Sequence, residues 1–199
     1  MFPATLPAVI DYPDNISCID TEQQRSGLAC CYLMRSGNQY AFIECGTSLS
    51  VPGLKAVLAE RGIGLDQIAY VMPTHVHLDH AGGVGLLLRD CPNAKLVIHP
   101  RGAKHMIDPS ALIAGATEVY GPENMAKMYG EILPVAADRV IVAENTAFPK
   151  MAAIFAGAPV DTLKAWAAFT LADNAAPYLS KAFDQAHFDF RSKALSRSE

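Results

Sequence analysis

Three of the six histidines of the chain lie within six residues, in the segment Thr-His-Val-His-Leu-Asp-His from Thr74 to His80. In an extended loop, residues two apart point the same way, so His75 and His77 can present two imidazoles to one metal ion. Asp79 and His80 then turn towards a second position nearby. Imidazole and carboxylate ligands suit zinc, and also iron or manganese. The segment therefore predicts a metal site formed by His75, His77, Asp79 and His80.

The chemistry that such a site implies is hydrolysis. Two metal ions about 3.5 to 4 Å apart can activate a bridging water and polarise a carbonyl or phosphoryl group. The alternative is a polar loop whose histidines only form hydrogen bonds, which would require a separate reason for each side chain. Gly82 and Gly83 follow His80 directly, and we expect them to let the backbone turn tightly under the site.

The elements on either side of the cluster predict a loop between a strand and a helix. Ile68 to Met72 is a short apolar run that ends at Pro73, as expected of a buried strand. Val84 to Arg89 has the pattern of a helix that begins after the glycine pair.

The rest of the chain up to about residue 143 predicts a layered α/β domain, because strand-like and helix-like segments alternate. In chain order, the expected elements are a hairpin of strands 28–34 and 39–45, a helix capped by Ser50 and stopped by Gly62, the elements around the cluster, a strand at 95–99, a broken helix over 100–113, a helix over 122–129 and a strand at 139–143.

Residues 144–199 have a different composition. Thirteen alanines and seven of the aromatic residues lie between residues 150 and 199, with apolar positions at helical spacing and no convincing strand. We therefore predict two parts, an α/β domain over 1–143 and an α-helical C-terminal segment over 144–199.

Composition and charge exclude several classes of function. The chain of 199 residues carries a formal net charge of -4 and has no basic run, which argues against a nucleic-acid partner. We expect no signal peptide and no membrane span, since no 18 apolar residues run together. Five cysteines without a Cys-x-x-Cys pair favour a reducing compartment, so we expect a cytoplasmic protein.

The segment Thr74 to Gly83, THVHLDHAGG, resembles the HxHxDH signature of the metallo-β-lactamase-fold hydrolases. Residues 41–47 are similar to the strand that ends in the family's Asp-x-Gly turn, although Glu44 stands in place of the usual Asp. The resemblance covers about residues 1–143 and implies half of an αβ/βα sandwich. It also implies that His75 and His77 serve a first metal and Asp79 and His80 a second, with Asp79 placed to hold or deprotonate the attacking water.

The chain departs from that family in its later motifs. Family members complete the site with a later His, a bridging Asp and a final His, and those motifs are not found here. His99, His105 and His187 are the remaining histidines, and none stands in a family ligand motif. Because each metal has two predicted ligands instead of three, we expect low metal affinity and slow hydrolysis.

The C-terminal part has a resemblance of its own. Residues from about 137 to 196 are similar to a non-catalytic helical segment of the neprilysin-type zinc peptidases. The HExxH helix of those peptidases is absent from this sequence, so peptidase activity is not implied. The two resemblances together suggest a fusion of two gene fragments.

Two functions follow from these features. The first is a metal-dependent hydrolase that acts on an ester, thioester, lactone or lactam as a small-molecule substrate, with one or two zinc ions. The second is a catalytically incompetent fragment or fusion that serves as a folded binding protein. Half of a two-sheet sandwich would expose an apolar sheet face, which the helical segment could cover, or which two chains could cover in a homodimer.

Overall fold

The computed structural model describes residues 6–13 and 15–142. The chain divides into two units, Met1–Ala143 and Glu144–Glu199, and all of the second unit lies outside the described residues. The predicted helical segment, its boundary, its peptidase-like resemblance and His187 therefore stay predictions.

The described residues form seven strands and six helices. In chain order they are β1 Val9–Tyr12, β2 Ile16–Asp20, β3 Cys30–Ser36, β4 Gln39–Ile43, α1 Val51–Glu60, β5 Ile68–Met72, α2 Leu78–Ala81, α3 Val84–Asp90, β6 Lys95–Ile98, α4 Pro100–Ile107, α5 Ser110–Tyr120, α6 Pro122–Tyr129 and β7 Val140–Val142. Two short 3-10 turns precede β5 and β7.

All seven strands belong to one sheet, in which their spatial order equals their order along the chain. The pairs β1–β2, β2–β3 and β3–β4 are antiparallel. Strands β4 to β7 run parallel to one another. Because neighbouring parallel strands point the same way, the segments after β4, β5 and β6 all lie at one edge of the sheet.

The sequence patterns locate most of these elements. The hairpin β3–β4, the strand β5 and the helices α3 and α6 lie where they were predicted. The predicted helix break falls at Asp108 and Pro109, and α5 extends beyond the prediction to Tyr120. The strands β1 and β2 were not predicted, since their runs of four and five residues are short and lack a clear alternation. The α/β class is confirmed.

The main core lies on one face of the sheet. One row of paired residues crosses the strands, from Leu33 through Phe42 and Val71 to Leu96, and these four side chains are at most 3% exposed. The helices α1, α3 and α4 cover this row with buried apolar side chains: Val51, Leu54, Val57, Leu58, Val84, Leu87, Leu88, Ala103 and Met106. This packing holds the strand ends rigidly.

A second, smaller cluster lies beside the predicted metal loop. Leu78 of α2 packs with Met125 and Tyr129 of α6 and with Ile132. The side chains of α5 that line this cluster are partly buried. The short helix α2, which carries Asp79 and His80, is therefore anchored against α6 by the buried side chain of Leu78.

The start of α1 corrects one expectation. Ser50 precedes the helix but its hydroxyl makes no cap hydrogen bond. The hydroxyl instead accepts a hydrogen bond from the Thr47 amide at 3.3 Å. Pro52 lies in the first turn of the helix, as predicted. At the other end, Gly62 has φ +67, which is the left-handed conformation expected after a helix.

None of the helices in residues 6–13 and 15–142 is long and apolar enough to cross a membrane.

Candidate metal centre

The predicted ligands lie at the edge of the sheet where the parallel strands end. His75 and His77 follow β5, and Asp79 and His80 lie in the one-turn helix α2. Glu44 follows β4, which is the parallel neighbour of β5. Since both strands end at the same edge, the topology brings Glu44 beside the histidine loop, although the two are some thirty positions apart in sequence.

Backbone hydrogen bonds hold the segment after β4 against the segment after α2. The Cys45 amide donates to the His80 carbonyl at 3.0 Å, and the Gly83 amide donates to the Gly46 carbonyl at 3.0 Å. The Ser48 hydroxyl donates to the Gly82 carbonyl at 3.1 Å. These bonds fix the distance between Glu44 and His80.

The glycine pair after His80 serves this close contact. The backbone turns at Gly82 and Gly83 as expected, but their φ values of -61 and -82 are ones that other residues adopt freely. A Cβ on Gly83 would lie 2.7 Å from the Thr47 carbonyl oxygen. The glycine is needed because the two backbones approach too closely for a side chain.

Three imidazole rings meet at the site. The centroid of the His75 ring lies 4.5 Å from that of His77 and 4.3 Å from that of His80. The Thr74 hydroxyl lies 2.9 Å from Nδ1 of His75, so it fixes the orientation of that ring. His77 precedes α2 in an extended conformation, and its carbonyl accepts from the amides of His80 and Ala81.

The Glu44 carboxylate is buried beside the ring of His80. Glu44 is 7% exposed and has φ +61, a conformation that residues other than glycine rarely adopt. Its Oε1 accepts from the Thr74 amide at 3.0 Å. Its Oε2 is buried without a hydrogen-bond partner among the described residues and lies 3.4 Å from Nδ1 of His80.

Three of these residues could together hold a metal ion. Ligand atoms of Glu44, His75 and His80 all lie within 4.8 Å of one another. His77 and Asp79 are outside that group, but both adjoin it: His77 touches His75, and Oδ2 of Asp79 lies 3.4 Å from Nε2 of His80. Sequence reasoning did not predict Glu44 as a ligand, although its place before the turn that ends at Gly46 was the available signal.

The surroundings shift the pKa values of His75 and His80 in opposite directions. Burial lowers the pKa of His75, and the neighbouring His80 and His77 lower it further. Contact with the Glu44 carboxylate raises the pKa of His80 against the opposing effect of burial. His75 is thus kept neutral, the form in which imidazole binds a metal.

The other candidate residues have structural roles. Nδ1 of His99 accepts from the Arg101 amide at 3.1 Å and caps α4, and His105 lies within α4. Cys45 and Cys91 are fully buried, as predicted, and burial raises the pKa of the Cys91 thiol to about 11. A protonated, buried thiol is a poor nucleophile.

A known family model matches most of the described residues. Residues 27–156 match the model of the metallo-beta-lactamase superfamily. The chain belongs to that superfamily. The matched range contains Glu44 and all four predicted ligands, and it begins after β2. None of the curated proteins matches the chain.

Several solved structures of metallo-β-lactamases are similar to the chain. A HARLDQ-motif mutant of the enzyme from Cronobacter sakazakii is 19% identical, over 69% of this chain and 48% of that one, with a TM-score of 0.48. A mutant of the enzyme from Legionella gormanii is 17% identical, over 73% and 50%, with a TM-score of 0.49. The subclass B3 enzyme BJP-1 of Bradyrhizobium japonicum is 22% identical, over 53% and 38%, with a TM-score of 0.44. The chain spans half the length of these enzymes or less.

Proposed function

We propose that the protein is a metal-dependent hydrolase that uses a metal-activated water on an ester, thioester, lactone or lactam. One observation carries this proposal: in a member of the metallo-β-lactamase superfamily, three imidazoles and a buried carboxylate converge at the carboxyl edge of parallel strands. The donor set, nitrogen and carboxylate oxygen without thiolate, suits zinc, with iron or manganese as further candidates.

The proposed ligands are His75, His77, Asp79 and His80. A zinc ion bound there would supply Lewis acidity towards a carbonyl oxygen and a water molecule. Within the chain, the Thr74 hydroxyl orients the His75 ring through Nδ1, and the Asp79 carboxylate faces Nε2 of His80. Asp79 is also our candidate for the residue that holds or deprotonates the attacking water.

The partners and the location are proposals as well. The substrate is a small molecule, nucleic acid is not a partner, and a second copy of the chain covers the sheet face opposite α1 and α3. Five cysteines without a Cys-x-x-Cys pair support a reducing compartment, and we propose the cytoplasm.

The test is hydrolysis by the zinc-loaded and the chelator-treated protein, on a panel of activated esters, thioesters, lactones and lactams. We expect turnover that is lost on chelation, restored by zinc, and reduced at least about 100-fold by His77→Ala. The matched control is His105→Ala, the same replacement within α4, which should leave turnover unchanged.

Two results would contradict the proposal. Zinc bound at one or more ions per chain without turnover on any substrate would favour the second candidate, a folded binding protein that retains the motif. Turnover that survives complete removal of the metal would place the chemistry elsewhere in the chain.

A further inference from the structure

Three large apolar side chains beside the histidine loop are exposed to solvent. Leu49 is 55% exposed, Val119 is 73% exposed and Tyr120 is 43% exposed. Single exposed apolar side chains are normal on a protein surface, but a group of them next to a binding site indicates a surface for a ligand or a partner. Together these three residues form the apolar patch.

The end of α6 connects the apolar patch to the histidine loop. The ring of Tyr120 lies 6.0 Å from the ring of Tyr129, and Tyr129 packs in one cluster with Leu78, the residue before Asp79. Burial raises the pKa of Tyr129 to about 12, with contributions from Tyr120 and from the charge of Asp79. Tyr129 therefore adjoins both the patch and the helix α2.

Leu49 reaches the same place from the segment after β4. A Cβ on Gly130 would lie 3.0 Å from Cδ2 of Leu49, so the leucine lies against the residue that follows α6. The neighbouring Ser48 donates its amide to the Tyr129 carbonyl at 3.2 Å and its hydroxyl to the Gly82 carbonyl at 3.1 Å. These two bonds hold the backbone of Leu49 between the end of α6 and the segment after α2.

Val119 and Tyr120 end the apolar stripe of α5. The side chains of this helix that pack against the smaller cluster are Leu112, Ile113 and Ala116. Residues three, four or seven positions further along a helix lie on the same face. The last turn of α5 therefore continues the packed face beyond the cluster and leaves its two apolar side chains exposed.

The proposed ligands next to the patch are open to solvent. The side chain of Asp79 is 40% exposed and that of His80 is 34% exposed, so a small molecule can reach them. Leu78 and Tyr129 alone separate the patch from Asp79 along the chain of contacts described above. A substrate that reacts at the histidine loop would therefore extend its remaining part over this surface.

The size of the patch favours a small molecule over a protein partner. A stable protein interface uses about 20 to 30 residues on each side, and the patch has three large apolar side chains. An alkyl chain needs much less surface, since each methylene that is fully removed from water raises affinity by up to about fourfold.

We propose that the apolar patch binds the apolar part of the substrate, so that the preferred substrates are esters, thioesters or lactones with an unbranched acyl or alkyl chain of several carbons. This inference rests on the proposed function, because it places the reacting carbonyl at the histidine loop. It adds a substrate preference that the ligand residues themselves do not determine.

The experiment measures kcat/KM of the zinc-loaded protein for p-nitrophenyl esters with unbranched acyl chains of two to eight carbons. A series of γ-lactones with unbranched alkyl substituents covers the lactone class. We expect kcat/KM to rise about twofold for each added methylene, which is about 60-fold from the acetate to the octanoate ester. The increase is half of the full burial effect in free energy, because an open patch leaves one side of the chain in water.

Two variants remove apolar surface from exposed positions. Leu49→Ser and Tyr120→Ser should each lower the ratio of the octanoate to the acetate value by at least about fivefold. The matched control is Ile107→Ser, at a side chain that is 38% exposed at the end of α4. Ile107 precedes α5 and Tyr120 ends it, so the eleven residues of that helix separate them by about 16 Å. The control should keep the wild-type ratio.

A second measurement does not depend on turnover. The acids that the reaction would release, acetate and octanoate, are titrated into the zinc-loaded protein in a calorimeter. Octanoate should bind more tightly than acetate and with a negative heat-capacity change, which is the signature of apolar burial. Leu49→Ser should remove most of this difference, and Ile107→Ser should preserve it.

The outcomes separate this inference from the proposed function. Turnover of the acetate ester without an increase along the series would overturn the inference and leave the hydrolase proposal standing. Binding of the acids that depends on chain length, without turnover of any substrate, would overturn the hydrolase proposal and support the patch as a binding site. The absence of both would overturn both.

The variants also test the alternative that two chains meet at the patch. A wild-type octanoate-to-acetate ratio in both Leu49→Ser and Tyr120→Ser would overturn the inference. If light scattering then showed that these variants have a lower molar mass than the wild type, the patch would be assigned to a contact between two copies of the chain.

Discussion

Two buried carboxylates, Asp20 and Glu44, occupy similar positions but have different surroundings. Asp20 ends β2 and is 0% exposed, and Glu44 follows β4 and is 7% exposed. Oδ1 of Asp20 accepts from the Glu22 amide at 2.8 Å. Its Oδ2 accepts from the Ser26 hydroxyl and the Gly27 amide, both at 2.8 Å. Glu44 accepts a single hydrogen bond, from the Thr74 amide.

The difference indicates that the Asp20 carboxylate stabilises the fold and that the Glu44 carboxylate contributes less to it. The loop after β2 contains left-handed residues at Glu22, Gln24 and Gly27, and the Asp20 carboxylate holds this loop from inside. The segment after β4 is held instead by backbone bonds to His80 and Gly83, so we expect its carboxylate to contribute less to the stability of the fold. The predictions below test this distinction in order of their expected effect on stability.

The largest loss of stability should come from Asp20→Ala. The substitution removes three hydrogen bonds to a charged acceptor and leaves two backbone amides of the loop without their partner, so we expect about 3 kcal/mol less free energy of unfolding. Denaturant unfolding measures it. Asp66→Ala, at an exposed aspartate, is the control and should change stability by less than about 0.5 kcal/mol. A loss below about 1 kcal/mol for Asp20→Ala would remove the contrast.

Gly83→Ala should cost about 2 kcal/mol, because it forces apart the two backbones that hold Glu44 against His80. The added Cβ would lie 2.7 Å from the Thr47 carbonyl oxygen and 2.9 Å from Val51 Cγ2. Zinc affinity should fall as well, although no proposed ligand is altered.

The control for that substitution is Gly115→Ala in α5, where an added Cβ has no neighbour within 4 Å. Alanine favours a helix over glycine by about 1 kcal/mol, so this variant should be slightly more stable than the wild type. Equal effects of the two alanines would show that the backbones after β4 and α2 can separate without cost.

A third carboxylate, Asp90, is paired with a cation and adds a pH dependence. Lys55 lies 2.5 Å from Asp90 and lowers its pKa from 3.8. A lowered pKa in the folded state gives stability that is present above the unfolded value and is lost as the pH falls through the folded value. Lys55→Met should therefore lower the free energy of unfolding by about 1 kcal/mol at neutral pH and leave it unchanged in strong acid.

The matched control for Lys55 is Lys127→Met. Lys127 lies 4.0 Å from Glu123, and both side chains are largely exposed, so its removal should not change stability measurably at any pH. Urea unfolding of both variants across the acid range would test the difference. A cost for Lys55→Met that persists below the folded pKa of Asp90 would assign the effect to packing of the lysine stem.

The sequence predicts the fold of this region better than it predicts the ligand set. Turn residues and apolar runs located β3 to β6 and α6, because these signals are local. The strands β1 and β2 were missed, since their pairing is set by neighbours in the sheet. The contact of Glu44 with His80 depends on parallel pairing of β4 and β5, which spacing along the chain does not reveal.

The smallest change in stability should come from Glu44→Gln in the zinc-free protein, within about 0.5 kcal/mol of the wild type. The glutamine oxygen can accept from the Thr74 amide, and its NH2 can donate to neutral His80, so a hydrogen bond replaces a carboxylate oxygen that had none. Zinc should distinguish the wild type from the variant. A ligand that binds only the folded state raises the stability of that state in proportion to the logarithm of the ligand concentration over Kd. Zinc at 100 times the wild-type Kd should stabilise the wild type by about 2.7 kcal/mol and the variant by less, because Glu44 contacts the proposed ligand His80. Thermal unfolding with and without zinc measures both values. If Glu44→Gln destabilised the zinc-free protein as much as Asp20→Ala does, Glu44 would be a structural carboxylate like Asp20, and the difference between the two carboxylates would disappear.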